Sequence, residues 1–240
     1  MPHGEPRVIL VVPSNNTTME PEIRAYCPAI AELAVARVPR PPRPLQVDDL
    51  PQYRESTIGA VRPLIGDGAA LVIYGCTSAG FLAGPAGDAA FVETLSDLVG
   101  APTVSTSTAI LAALAEAGID RVDVVSPYLD WKNDMLRAFL SGSGIRVDRL
   151  QSFGAQNPTE LGRITSEQVL QKCLDTASPD GRALFIACSQ LPTRDIIPVL
   201  AQRLDRPVWS SVKAAGWQAM QWLLAGAGSA ARGTQAASPH

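Results

Sequence analysis

The chain has 240 residues, 46% of them hydrophobic, and a formal net charge of −3, enough apolar material for one large α/β domain or two small lobes. Its charges are dispersed, with no basic run able to neutralise a phosphate backbone, which argues against nucleic acid as a partner. Apolar runs break within about ten residues, short of the roughly 20 a membrane helix needs, and "MPHGEPR" has no secretory apolar core, so a cytoplasmic protein without a membrane partner is expected.

Residues 1–6 form an extension ahead of the first predicted strand, "RVILVV" (7–12), which runs into the polar loop "PSNNTT" (13–18). A proline-rich connection, "VPRPPRPLQVDDLP" (38–51), reads as a stiff surface loop that could cover a site. Further strands are predicted at "ALVIYG" (70–75), "PTVS" (102–105), "RVDVVS" (121–126), "IRVDRL" (145–150), "ALFIA" (183–187) and "PVWSS" (207–211). Between them lie helical segments. Asp88 is expected to cap one that ends at Gly100, Thr106 or Ser107 to cap the next before Gly118, and "DWKNDMLRAFL" to end near Gly142. The tail 226–240 has the small-residue composition of a disordered segment.

Strands alternating with helices predict parallel sheets covered on both faces, and the nearly unbroken apolar strands agree. The order also repeats: "RVILVVPSNN" resembles "RVDVVSPYLD", "ALVIYGCTSAG" resembles "ALFIACSQLPT", and "PTVSTS" resembles "PVWSSV", at a nearly constant spacing. Two similar halves follow, placed at 7–112 with about 208–225, and at 113–207, with strands possibly exchanged between them.

Ligands of open α/β sheets bind beyond the carboxyl ends of the strands, which selects the loops at 13–18, 76–80, 126–130 and 188–193. If the halves face each other, Cys76 and Cys188 line one cleft. His3 and His240 stand at the chain ends, and the four cysteines (27, 76, 173, 188) have no CxxC spacing, so neither a metal nor a Ser-His-Asp triad is expected. A cysteine at a helix start faces free N–H groups and the positive end of the helix dipole, which favours the thiolate. The same donors suit a small carboxylic acid. Taken singly, each residue also has a structural reading: a free cysteine often only fills the core, Asn15 and Asn16 could be turn or capping residues, and Tyr128 a packed aromatic. Cys173, on the apolar stripe of "SEQVLQKCLDTA", and Cys27, before Pro28, read as structural.

Three motifs, "VPSNNTTMEPE" (12–22), "YGCTSAG" (74–80) and "ACSQLPT" (187–193), supported by "SPY" (126–128) and "NPTELGR" (157–163), carry a resemblance. The chain resembles the maleate cis-trans isomerase branch of the aspartate/glutamate racemase superfamily, which also contains the arylmalonate decarboxylases. The resemblance implies two pseudo-symmetric Rossmann-like lobes, a homodimer and a cofactor-independent site between the lobes. It implies that the Cys76 thiolate adds to the double bond of maleate to give a succinyl-cysteine, and that Cys188 handles the proton at the neighbouring carbon. It assigns Asn16, Tyr128 and Asn157 to the substrate carboxylates, with Thr77, Ser78, Ser189, Gln190, Ser14 and Pro13 completing the pocket. The decarboxylases of this superfamily use a single thiol matching Cys188. The alternatives left open are a two-thiol amino-acid or carboxylic-acid racemase and a non-catalytic binder of small carboxylates.

Overall fold

A computed structural model describes residues 6–66 and 68–235; most of the predicted N-terminal extension and the last residues of the tail lie outside them. The first half runs β1 (Arg7–Pro13), α1 (Met19–Tyr26), β2 (Glu32–Val38), α2 (Leu50–Val61), β3 (Leu71–Tyr74), α3 (Thr77–Val99), β4 (Thr103–Ser105) and α4 (Thr106–Glu116). The second runs β5 (Arg121–Ser126), α5 (Asp130–Gly142), β6 (Arg146–Ser152), α6 (Pro158–Leu161), α7 (Ser166–Thr176), β7 (Leu184–Ile186), α8 (Ile197–Leu204), β8 (Val208–Ser210) and α9 (Ser211–Gln235). All strands pair in parallel, in the orders β2-β1-β3-β4 and β6-β5-β7-β8. The two sheets therefore share one topology, and the α/β fold of two pseudo-symmetric lobes is as expected. Strand β1 is buried on both faces from Val8 to Val12, which explains its uninterrupted apolar sequence.

Several local expectations are corrected. Strand β2, "ELAVARV", is absent from the predicted set because alanines and the charges of Glu32 and Arg37 dilute its β-branched signal. It lies at a sheet edge, where Arg7 pairs with Glu32 at 2.7 Å in register with β1. Asp88 caps nothing: α3 consists of two helical segments, one from Thr77 and one that follows the non-helical Gly84 (φ 71°) from Pro85 on, so Asp88 falls inside the second. Its buried carboxylate instead accepts a 2.5 Å bond from the Ser105 hydroxyl, and burial raises its pKa to about 6. Ser105, not Thr106 or Ser107, caps α4, accepting from the Ser107 and Thr108 amides.

The lobe boundary also shifts. Strand β8 belongs to the second sheet, paired with β7, so the segment from 208 does not return to the first lobe as a strand. Helices cross instead of strands. Helix α9 packs on α1 and α4, while Ile110 of α4 shares an apolar gap with Leu136, Phe139 and Phe185 of the second lobe. Helix α9 also runs to Gln235, so much of the expected disordered tail is helical, in keeping with the helix propensity of its alanines; residues 236–240 lie outside the described residues.

Gly75 joins β3 to the first cysteine loop at a close approach: a Cβ there would stand 2.7 Å from the Val11 carbonyl oxygen and 2.5 Å from the Met19 sulfur. Because Val11 belongs to the central strand, it cannot move aside. Gly75→Ala is expected to lower unfolding stability by about 1–3 kcal/mol, measured by urea denaturation; an unchanged midpoint would show that the contact relaxes.

Candidate active site

The carboxyl ends of β1, β3, β5 and β7 converge on one cleft between the lobes, a space of about 580 Å³ including its open mouth. Pro13 and Asn16 line it after β1, Cys76, Thr77 and Ser78 after β3, Tyr128 after β5, and Cys188, Ser189 and Gln190 after β7. Asn157 reaches it from the turn before α6. Both thiols thus face one space. Ser14 does not: it is exposed, one residue out of phase with its neighbours, and its amide bonds to the Val38 carbonyl. Asn15 lines the cleft in its place, with its side-chain carbonyl buried and unpartnered. Cys27 and Cys173 are fully buried elsewhere; burial raises the Cys27 thiol to about 11 and Cys173 to about 12, as befits core residues.

The two reactive candidates are not equivalent. Cys76 is the N-cap residue of α3, with its sulfur 3.9 Å from the Ser78 hydroxyl oxygen. Cys188 is followed by turns, and α8 begins only at Ile197. The expectation that a helix dipole favours its thiolate therefore fails: burial raises its pKa, only partly opposed by the Gln190 amide, which donates to its sulfur at 3.4 Å. Burial thus favours the protonated thiol form of Cys188. Its backbone is also strained, at φ 122°, with its amide held by the Ser211 hydroxyl at 3.1 Å. Strain of this kind costs about 1–3 kcal/mol and is retained where it aims a side chain. Cys188→Gly is therefore expected to be more stable than Cys188→Ala by about 1 kcal/mol or more. Ordinary positions show the reverse order, and finding it here by urea titration would refute the strain.

Tyrosines flank both thiols. Tyr128, fixed through its carbonyl by Ser152 and by Asn133 at 3.0 Å, places its hydroxyl beside Cys188 without a partner of ordinary hydrogen-bond geometry. Burial, reinforced by the neighbouring Cys188, keeps that hydroxyl protonated and hence a donor. Tyr53, on the buried stripe of α2, stands beside Cys76 in the same way, unpartnered and held protonated chiefly by burial. Sequence reasoning missed Tyr53; its stripe marks it as buried, but nothing local aims its hydroxyl at a thiol.

Neutral groups lock the two walls together. Asn16 closes a turn just ahead of α1, its Oδ1 accepting from the Thr18 and Met19 amides at 3.0 and 2.9 Å, and its Nδ2 donates across the cleft floor to the Ser189 hydroxyl at 3.0 Å. Ser189 in turn donates to the Gly75 carbonyl at 2.6 Å. Asn157 caps α6 through the Thr159 and Glu160 amides, and Thr77 bonds to Thr106 at 3.1 Å. Behind them, buried Glu22 of α1 accepts from Thr193 and the Arg194 amide, tying the second cysteine loop to the first lobe. The turn reading of Asn16 thus agrees with the structure, whereas the N-cap of α1 is Thr18, and the turn coexists with a place in the cleft.

Two cations complete the lining: Arg40, from the proline-rich connection, and Lys132, from the first turn of α5. Neither stood out in the sequence. No aspartate or glutamate lines this cleft among the described residues.

The model of the arylmalonate decarboxylase family matches residues 11–236. The chain belongs to that family. It is 33% identical over 180 residues to the arylmalonate decarboxylase of Bordetella bronchiseptica, covering 74% of each chain. It is also 24% identical over 234 residues to the maleate isomerase of Geobacillus stearothermophilus, covering 90% of this chain and 91% of that one. In three dimensions it is similar to the maleate cis-trans isomerase of Nocardia farcinica, in a cysteine-to-serine variant with a covalently bound succinylcysteine intermediate. The TM-score is 0.82 at 21% identity, over 92% of this chain and 93% of that one. This family member is thus an enzyme with relatives of two kinds, and the likeness read from its motifs holds. Among its described residues no helix is long and apolar enough to cross a membrane.

Proposed function

We propose that the protein catalyses cofactor-independent cis-trans isomerisation of a maleate-type dicarboxylate through a succinyl-Cys76 adduct. The observation that carries this reading is a cleft with a thiol on each wall, neutral donors and cations around them, and no lining carboxylate. An α-amino acid would bring an ammonium group into a site with two positive charges and nothing acidic to receive it, which disfavours amino-acid racemisation. The second thiol favours isomerisation over the single-thiol decarboxylation of the other branch.

In the proposed reaction, the Cys76 thiolate attacks one alkene carbon and forms a C–S bond. The π electrons move onto the neighbouring carbon, where the enolate form of its carboxylate is stabilised by donors of the cleft, and the Cys188 thiol supplies a proton to that carbon. The former double bond is now single and rotates freely. Cys188 then removes the proton, the electron pair reforms the alkene in the trans arrangement, and the C–S bond breaks to return the Cys76 thiolate. Atoms and charge balance, and Cys188 ends protonated as it began. Proton NMR of purified protein with maleate tests this: fumarate appearing, with no exchange of the α-proton of aspartate or glutamate in D₂O, is the expected result. α-Proton exchange with maleate untouched would replace the reading with racemisation.

A further inference from the structure

Arg40 and Lys132 reach the cleft from opposite lobes, Arg40 from a segment flanked by Pro39, Pro41 and Pro42, and Lys132 from α5. Lys132 is 2% exposed and takes part in no ion pair among the described residues. Its ammonium makes no hydrogen bond among the described residues; the Cys76 and Cys188 sulfurs act on its charge, and aromatic faces lie beside it, 5.1 Å to the Trp131 ring centroid and 5.7 Å to that of Tyr128. Such contacts return less than burial of a lysine costs, and a cation in the first helical turn also opposes the helix dipole. The Nε of Arg40 is buried without a partner. Asp49, the carboxylate whose charge bears on Lys132, is already committed to Arg43 through two bonds of 2.7 Å. Burial, then repulsion by Arg40, lowers the Lys132 pKa to about 8. A buried lysine and a half-buried arginine share the cleft with no carboxylate lining it and only the cysteine sulfurs to offset their charge, so at least one positive charge is left to be matched by an anion brought from outside.

We propose that Arg40 and Lys132 form an ionic clamp, shared by the two lobes, for the substrate carboxylate that lies away from Cys76, and that this clamp makes the cleft selective for dianions. The identity of that dianion rests on the isomerase reading. The proline-flanked backbone holds Arg40 in place before binding, which lowers the entropic cost of capture.

The test is calorimetric binding of succinate, a saturated dianion, and succinamate, its monoanionic half-amide, to the wild type, Lys132→Met and Arg40→Gln. The wild type is expected to prefer succinate by about tenfold or more, and each substitution to erase most of that preference while leaving succinamate affinity unchanged. Equal affinities in the wild type, or a preference that survives both substitutions, would overturn the clamp. Should Lys132→Met fail to fold, Arg40→Gln, at a half-buried position, carries the test alone. Maleate turnover separates the two ideas. A preference lost on substitution in a protein that leaves maleate untouched removes the isomerase reading and keeps the clamp. Conversion of maleate by Lys132→Met at unchanged KM, with the succinate preference intact, does the opposite.

Discussion

Cys76→Ala is expected to reduce maleate turnover to the uncatalysed background while leaving the fold and succinate binding close to wild type. Cys76 is almost fully buried at the head of α3, beside Tyr53 and 3.9 Å from the Ser78 hydroxyl, and alanine keeps its Cβ in place, so only the sulfur is lost. What the substitution removes, under the proposed mechanism, is the C–S bond that would convert a rigid double bond into a rotatable one; Cys188, whose burial favours the protonated thiol, is not an equivalent nucleophile. Proton NMR over hours, alongside a urea titration, checks both halves. Turnover within tenfold of wild type would end the covalent mechanism, whatever happens to stability.

Replacing Cys188 by Ser is expected to lower kcat on the order of 10³-fold, within the range for loss of a positioned acid-base group, and to leave an adduct on Cys76. Addition can still be completed by slow protonation from water, whereas release of fumarate needs a base at the neighbouring carbon. Tyr128, beside position 188, is held protonated by burial and cannot take that role. Intact-mass measurement after incubation with maleate should therefore show one added maleate in Cys188→Ser and none in the double variant with Cys76→Ala. An unmodified Cys188→Ser protein that turns maleate over at the wild-type rate would remove Cys188 from the chemistry.

Much of the scaffold was legible because its signals are local. Apolar strands ending in small polar loops announce buried parallel sheets, and their repetition announces the second lobe, as the matching sheet orders show. Features that depend on a neighbour in space were missed or misplaced. Asp88 looked like a cap because its environment, the Ser105 hydroxyl seventeen residues on, is invisible in sequence. Edge strand β2 was lost because half-exposed strands carry charges. One error was readable in principle: Pro192 lacks the N–H that would close a helical turn onto the Cys188 carbonyl, and it turns Leu191 away from helical geometry. That signal separates the Cys188 loop from the helix start at Cys76.

By itself the sequence determined two α/β halves, each with a strand leading into a thiol, because alternating elements and the residues that end them are short-range properties of the chain. Only the tertiary structure decided how the cleft is charged and how its thiols differ. Arg40 in a proline-rich loop and Lys132 at a charged helix start have the local look of solvent-facing residues; docking of the two lobes buries Lys132 and brings it beside Arg40 without an acid between them. Burial and Coulomb interactions depend on through-space distance, so spacing along the chain carries no record of either.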